Sequence, residues 1–243
     1  MDSKGVVFVL DAGNTAIKVG LFRHGKIQVV KRFNKTDVIG IKSFLETEPS
    51  ATLVLSSVLS RDNTDFMVNE LNIDFVIDRS SGLPIELDYR TPETLGFDRI
   101  CNAIAIDKLS NTRFAVAIDF GTCIKFDLVE KNKAYLGGSI APGIGLRYKS
   151  LNDYTDNLPL LSNKTAEDFV GKSTEESIRT GVINGIKAEV NGLIREYEDC
   201  YSDLTFFVTG GDHTNFDLQA KNNIFANENL TLIGIYTIYT HDH

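Results

Sequence analysis

Two short polar turns contain the residues of this chain that are best suited to hold a phosphate group. The first is residues 11–15 (DAGNT), after the apolar run 6–10, and the second is residues 119–122 (DFGT), after the apolar run 114–118. Each places a carboxylate at the end of a predicted strand, beside glycine, a hydroxyl group and turn N–H groups that can bind phosphate oxygens. Taken alone, each turn is equally typical of the polar tip of an ordinary hairpin.

Both turns lie in the same kind of segment, because each is followed by a second apolar run and therefore predicts a hairpin. Such a repeat, with one copy in each half of the chain, indicates an internal duplication. We therefore expect an α/β protein with two related domains, residues 1–113 and 114–243, that face each other across a cleft. Asp11 and Asp119 would then approach a ligand from opposite walls.

The first half of the chain gives a more detailed order of elements. Apolar runs and polar breaks predict three strands, a helix, a strand, a helix at residues 61–71 and a short strand at residues 75–77. That order is the pattern of a ribonuclease H-like domain, although order alone does not fix a topology. The C-terminal segment, residues 230–239, is apolar enough for either a strand or a helix.

An acidic residue outside both turns stands at the start of a predicted helix. Asp98, within residues 96–99 (GFDR), precedes the apolar helical pattern of residues 100–109. The helix dipole and the unpaired N–H groups of a first turn favour an ionised carboxylate there. Asp98 could act as a base or simply cap the helix, and Arg99 could clamp a ligand carboxylate or form a surface ion pair.

Glycine marks further segments that require a particular backbone path or close packing. Residues 135–145 (YLGGSIAPGIG) and 209–211 (TGG) favour close approach to a ligand, with a plain turn as the alternative. A predicted capping box at residues 173–176 begins a helix that extends to about residue 199. Gly181 and Gly185 on this helix indicate that its own sheet or a second subunit packs closely against them.

Composition narrows the class of protein. The chain has 243 residues, 42% of them hydrophobic, and a net charge of −8, so we expect a packed core and no binding to nucleic acid. Its apolar runs are too short to span a bilayer, and we expect no membrane segment or signal peptide. Cys101, Cys123 and Cys200 lack metal-ligand spacing, which is typical of reduced thiols in a cytoplasmic protein.

Five motifs in order resemble those of one family, the type III pantothenate kinases of coenzyme A biosynthesis. They are residues 11–15, residues 96–99 with Tyr89 seven residues earlier, residues 119–122, residues 135–145 and residues 171–174 (GKST). The resemblance spans most of the chain. It implies two ribonuclease H-like (actin-like ATPase) domains that face each other across a nucleotide cleft, as in acetate and sugar kinases, heat-shock chaperones and actin. It also implies a homodimer.

The resemblance further implies a reaction and a role for each matching residue. The reaction is phosphorylation of pantothenate by ATP to 4′-phosphopantothenate, the first step of coenzyme A biosynthesis. Asp98 would be the catalytic base, Asp119 would hold a monovalent cation (K⁺ or NH₄⁺), and Asp11 would orient the Mg²⁺ of ATP through water. The ATP contacts would be Asp11, Ala12, Gly13, Asn14, Thr15, Ala16, Ile17, Lys18 and Thr122. The pantothenate contacts would be Tyr89, Gly96, Phe97, Asp98, Arg99 and Thr174, and residues 209–211 resemble the adenosine-side glycines.

The chain departs from the family pattern at three places. Lys18 stands where many members are apolar, Phe97 where alanine is common, and residues 123–125 (CIK) where small, threonine-rich residues are usual. Two other functions stay open: a regulatory protein like the Bvg accessory factor group that keeps the ATP cleft, and another small-molecule kinase or phosphatase of the superfold. Asp98 with Arg99 favours an enzyme over the first, and Tyr89 ahead of residues 96–99 disfavours the second.

Overall fold

The computed structural model describes residues 5–13, 16–162, 165, 168–221 and 223–243. The chain divides into two compact units. The first comprises Met1–Glu86, Arg90–Ala105 and Asn229–His243, and the second comprises Leu87–Tyr89 and Ile106–Glu228. The expected domains are each a single stretch of chain, whereas both units combine separate stretches, because the C-terminal helix packs on the sheet of the first unit.

Strands and helices alternate along the chain as an α/β protein requires. In chain order they are β1 (Val7–Ala12), β2 (Ala16–Arg23), β3 (Lys26–Asn34), α1 (Val38–Leu45), β4 (Thr52–Ser57), α2 (Arg61–Leu71), β5 (Phe75–Val76), β6 (Glu86–Leu87), α3 (Phe97–Leu109), β7 (Phe114–Phe120), β8 (Cys123–Glu130), β9 (Ala134–Pro142), α4 (Ile144–Asp153), α5 (Thr174–Cys200), β10 (Leu204–Thr209), β11 (Ile224–Ala226) and α6 (Leu230–Asp242).

The first unit is built on a five-stranded sheet with the order β3-β2-β1-β4-β5. β1 is antiparallel to β2 and parallel to β4, so the turn that follows β1 lies at the carboxyl edge of a parallel pair. Alternate residues of these strands, including Phe8 and Leu10, join Phe44 of α1 and Met67 of α2 in one buried core. Helix α6 packs on β1, β2 and β4, where the rings of Tyr236 and Phe22 stack at 4.3 Å.

Local sequence accounts for the helices of the first unit. The Asp37 carboxylate accepts a hydrogen bond from the Gly40 N–H at 2.9 Å and caps α1. The predicted helix over residues 61–71 is confirmed as α2. Sequence analysis left both a strand and a helix open for residues 230–239, which form helix α6. Because this helix is largely buried, it has little polar face, and its sequence shows no clear helical periodicity.

The second unit repeats the strand order of the first. Its six-stranded sheet has the order β11-β10-β7-β8-β9-β6. β7 is antiparallel to β8, which is antiparallel to β9, while β10 runs parallel to both β7 and β11. Each of these relations has its counterpart among β1 to β5 of the first unit, and this match confirms the duplication that the sequence indicates.

Helix α5 covers one face of the second sheet. Its predicted apolar stripe is buried and joins the core formed by β7, β8 and β10; the stripe is Ile178, Val182, Ile186, Val190 and Ile194. The helix begins where predicted, since the Ser173 hydroxyl accepts a hydrogen bond from the Glu176 N–H at 3.2 Å. Among the described residues, none of the helices combines the length and apolar character needed to cross a bilayer.

Candidate functional site

The turn after β1 presents a carboxylate at the carboxyl edge of the first sheet. Asp11 lies directly opposite Lys18 on β2 and Ser56 on β4. The Gly13 N–H donates to the Ala16 carbonyl at 3.1 Å and closes the hairpin. An acid, an ammonium group and a serine are thus placed at one strand end, and the acid and ammonium groups are suited to a metal ion and a phosphate.

The residues of this turn that are predicted to contact ATP differ in their exposure. Asn14 and Thr15 lie outside the described residues, so their roles remain predictions. Ala12 and Ile17 have no exposed surface and belong to the core beneath the turn. Their position lets them support the hairpin from below, while Gly13 and Ala16 remain partly exposed at its tip.

Asp98 is the second residue of α3. Its Oδ1 accepts a hydrogen bond from the adjacent Arg99 N–H at 3.0 Å, whereas a capping residue accepts from a residue two or three positions further along. A Cβ at Gly96 would lie 2.6 Å from the same Oδ1 atom. Glycine at position 96 therefore leaves the space that this carboxylate occupies, and the simple N-cap interpretation of Asp98 is wrong.

Cys101 is a buried thiol of the first unit whose pKa is affected by both Asp11 and Asp98. Cys101 has no exposed surface, and burial is the main reason why its pKa is raised well above the ordinary value for cysteine. The negative charges of Asp11 and then Asp98 raise the pKa further. Two carboxylates from different elements therefore both raise the pKa of this thiol. Sequence analysis identified Cys101 only as a reduced thiol and missed its relation to Asp98, whose signal is their spacing of three on one helix.

Two arginines fix the backbone and the start of α3. The Arg79 guanidinium donates to the Pro92 carbonyl at 2.7 Å and also to the Leu95 carbonyl, so it holds the loop that leads into Gly96. Sequence analysis missed this contact, since nothing in the local pattern around Arg79 indicates it. Arg99 is only 4% exposed, so its interpretation as a surface ion pair is wrong.

The turn after β7 contains a close ion pair. Asp119 lies directly opposite Lys125 on β8, and the Lys125 Nζ is 2.7 Å from the Asp119 Oδ2. The Lys125 side chain is 13% exposed and the Asp119 side chain is 14% exposed. Both point away from the α5 core, which takes the alternate residues Ile118 and Ile124 of the same strands.

Glycine-rich segments surround the second turn. The Gly143 N–H donates to the Thr122 carbonyl at 3.0 Å, and the Asp212 N–H donates to the Phe120 carbonyl at 3.1 Å. Gly210 has a φ of +90°, and a Cβ there would lie 2.4 Å from the Phe120 carbonyl oxygen. Only glycine satisfies both conditions. Residues 119–122, the start of α4 and residues 209–211 therefore form one cluster in the second unit.

The remaining predicted substrate residues of the second unit lie on different elements. Tyr89 packs beside β9, with its ring 5.8 Å from that of Tyr135, and the Tyr135 hydroxyl donates to Asp127 Oδ1 at 3.0 Å. Thr174 is the first residue of α5 and lines a cavity of about 980 Å³ between α4 and α5. Polar groups at its wall include those of Arg147, Lys172, Ser173 and Ser177.

The acid groups fit a magnesium ion that comes with a nucleotide better than a resident metal. Among the described residues, no group of three or more histidine, cysteine, aspartate or glutamate side chains could hold a metal ion. Mg²⁺ at phosphate sites keeps several waters and commonly takes only one or two protein carboxylates. A single carboxylate such as that of Asp11 is sufficient for such an ion.

Two units with one strand order, each with an aspartate at the end of its first strand, define the ribonuclease H-like fold of actin-like ATPases and kinases. Solved structures share this fold. A structure described as a Baf family transcriptional activator from Campylobacter jejuni matches with a TM-score of 0.60 at 22% identity, over 97% of this chain and 98% of its own. An inorganic polyphosphate/ATP-glucomannokinase from Arthrobacter sp. strain KM matches with a TM-score of 0.51 at 13% identity, over 98% and 99%.

Sequence comparison identifies the family. The profile of the type III pantothenate kinases matches residues 7–196. A type III pantothenate kinase from Christiangramia forsetii is 39% identical over 232 residues, which are 93% of this chain and 95% of that protein. This chain therefore belongs to the type III pantothenate kinase family.

Proposed function

We propose that this protein transfers the γ-phosphoryl group of ATP to the primary hydroxyl group of pantothenate. The observation that carries this proposal is the placement of two carboxylates in the first unit of a chain from this kinase family: Asp11 lies at the carboxyl edge of the sheet, and Asp98 lies in the space that Gly96 leaves. One carboxylate for Mg·ATP and another for the acceptor alcohol are the acid groups that such a transfer requires.

In the proposed reaction the pantothenate hydroxyl oxygen forms a new bond to the γ-phosphorus atom. The bond from that phosphorus to the bridging oxygen breaks, ADP leaves, and Asp98 accepts the hydroxyl proton late in the transfer. Because the transition state is loose, positioning and charge neutralisation supply most of the rate. Mg²⁺, when bound with ATP, neutralises phosphate charge, and Asp11 would orient it through water.

Arg99 and Gly96 prepare the acceptor side in this proposal. Gly96 keeps the space for the Asp98 carboxylate, and the buried Arg99 lies in the first turn of the same helix. A guanidinium group can bind a carboxylate through two parallel hydrogen bonds, and pantothenate carries one carboxylate. Phe97, Tyr89 and Thr174 complete the set of residues that the family resemblance assigns to pantothenate.

The second turn supplies phosphate and cation contacts in this proposal. Thr122 offers a hydroxyl group and lies in the glycine-rich cluster with Gly143 and Gly210. Asp119 holds one positive charge beside that turn. In the structure that charge is the Lys125 ammonium group, whereas the family resemblance implies a monovalent cation, K⁺ or NH₄⁺, at this carboxylate.

A homodimer is the proposed assembly. Gly181, Gly185 and Gly192 of α5 recur at helical spacing, and within the described part of the subunit a Cβ at any of them would contact nothing within 4 Å. The buried stripe of α5 packs on the chain's own sheet, and we propose that a second subunit packs on the face that carries these glycines. Three cysteines in thiol form and ATP as a substrate fit a cytoplasmic location.

The test of the proposed function is ADP release from ATP with a panel of acceptors. We expect rapid, saturable release with pantothenate and only background release with N-acetylmannosamine, glucose or no acceptor. A regulatory protein that only binds ATP would give background release with every acceptor, and a sugar kinase would respond to a sugar. Either result would refute pantothenate kinase activity.

A further inference from the structure

We propose that the Lys125 ammonium group is the resident cation of Asp119, so that this enzyme needs neither K⁺ nor NH₄⁺ at that carboxylate. The inference rests on the proposed function in one respect: the expectation that Asp119, at the second turn, holds a cation. Its basis is the ion pair between Lys125 and Asp119, whose N–O distance is 2.7 Å.

The backbone places the two groups together without any special loop. Asp119 on β7 and Lys125 on β8 are direct partners in an antiparallel pair, so their side chains leave the sheet on the same face. The partner of Lys125 on the other side is Ile140 of β9, whose side chain is apolar. The pairing is therefore fixed by strand register.

Burial makes this ion pair hard for a dissolved ion to displace. The two side chains are 13% and 14% exposed, so water and salt screen their attraction less than they screen a surface pair. A tethered ammonium group also loses less translational freedom on contact than an ion taken from solution. By contrast, the Lys133 Nζ to Glu130 Oε2 pair has the same 2.7 Å distance, but its lysine side chain is 64% exposed.

A separate monovalent cation does not fit the residues present. Oδ2 of Asp119 is occupied by one positive group, and a second cation on the same carboxylate would lie within a few ångströms of the first. Like charges at such a separation repel strongly where solvent is largely excluded. The chain therefore carries its cation on β8, at a position within the segment 123–125 where it departs from the family pattern.

The first experiment measures pantothenate-dependent ADP release in KCl and in choline chloride of equal ionic strength. The variants are Lys125→Met, which removes the charge and keeps the chain length, and Lys133→Met as the matched control. We expect the parent and Lys133→Met to change less than about twofold between the salts, and Lys125→Met to lose at least about tenfold in choline chloride and to recover in KCl or NH₄Cl. Saturable activation of the parent by K⁺, or a Lys125→Met variant with the parent rate in choline chloride, would overturn the proposal.

The second experiment measures thermal unfolding without substrates and so does not depend on the reaction. A bound ion stabilises the folded state in proportion to its occupancy. The unfolding temperature of the parent should be the same in KCl and in matched choline chloride, while that of Lys125→Met should be higher in KCl. A K⁺-specific rise for the parent would overturn the proposal even if Lys125→Met does not fold. If pantothenate is not phosphorylated in any of these salts, the proposed function is refuted. The comparison of unfolding temperatures would still test whether Lys125 takes the place of a bound K⁺.

Discussion

Asp98 is the residue on which the proposed proton transfer depends. Replacement with asparagine keeps the size and the hydrogen-bonding oxygen but removes the basic carboxylate. We expect Asp98→Asn to lower kcat by about 10²- to 10⁴-fold, the range that a positioned base contributes. Thermal unfolding should match that of the parent, because Asp98 is only partly buried and keeps its contact with the Arg99 N–H. Near-parent turnover in a correctly folded variant would contradict the assignment of the base.

Cys101 makes the stability of the protein depend on alkaline pH. Burial, and then the charges of Asp11 and Asp98, raise the thiol pKa in the folded state. A thiol in the unfolded chain ionises near its ordinary pKa of about 8.5. The stabilisation is therefore complete below about pH 8.5 and is lost as the pH rises towards the folded-state pKa.

The measurement is the free energy of unfolding in urea across pH 7.5 to 10, a range set around the ordinary thiol pKa of about 8.5. We expect the parent to lose stability above about pH 8.5, and Cys101→Ala to show a shallower loss, whatever its offset from the lost packing of the sulfur atom. Cys200→Ala is the control, because Cys200 is exposed and should leave the slope of the parent unchanged. Equal slopes for the parent and Cys101→Ala would contradict a raised pKa.

Residue types and spacing predicted the candidate acids but not their partners. The turns containing Asp11 and Asp119 stand out locally, because a carboxylate follows an apolar strand and precedes glycine. The effect of both Asp11 and Asp98 on the pKa of Cys101 depends on tertiary structure, because Asp11 lies on β1 and Asp98 on α3, far apart in the chain. Likewise, Lys125 was visible as a departure from the family, but its contact with Asp119 follows from the register of β7 and β8.

At the scale of elements, α5 is the helix with the most specific consequence for assembly. Its buried stripe faces its own sheet, while within the described residues a Cβ at Gly181 or Gly185 would contact nothing within 4 Å. We expect Gly185→Leu to yield a monomer, because a bulky side chain would prevent close approach of a second subunit. Pantothenate use should weaken, since Thr174 begins the same helix, while ATP binding should be nearly unchanged.

Light scattering and steady-state kinetics check this expectation. Gly185→Ala is the matched control, because it adds one methyl group to open space and improves helix propensity by about 1 kcal/mol. It should remain a dimer with the parent KM for pantothenate. A Gly185→Leu variant that remains a fully active dimer would place the subunit interface elsewhere.

Helices whose apolar residues recur with a clear helical period were predictable from sequence, whereas elements defined by tertiary packing were not. α2 and α5 show apolar positions at helical spacing, so their existence and approximate bounds followed from sequence. α6 has no polar face, so its apolar run could not be distinguished from a strand. Its return to the first sheet, far along the chain from β1, is a long-range contact that periodicity cannot express.

At the scale of the whole molecule, duplication explains why one chain carries two similar turns. Both units use the same order and direction of five strands, and each places an aspartate at the carboxyl end of its first strand. In both units a lysine and a hydroxyl residue lie opposite this aspartate: Lys18 and Ser56 for Asp11, and Lys125 and Thr209 for Asp119. We infer that the first turn serves Mg·ATP and that the second carries its own positive charge.

The most direct test of pantothenate phosphorylation is identification of the product. The purified protein, incubated with Mg·ATP and pantothenate, should form a compound heavier than pantothenate by one phosphate group, as seen by mass spectrometry. Phosphorus–proton NMR should place that phosphate on the 4′-hydroxyl group. Asp98→Asn should form almost none of it under the same conditions. A phosphate at another position, or hydrolysis of ATP with no phosphorylated pantothenate, would contradict the proposed reaction.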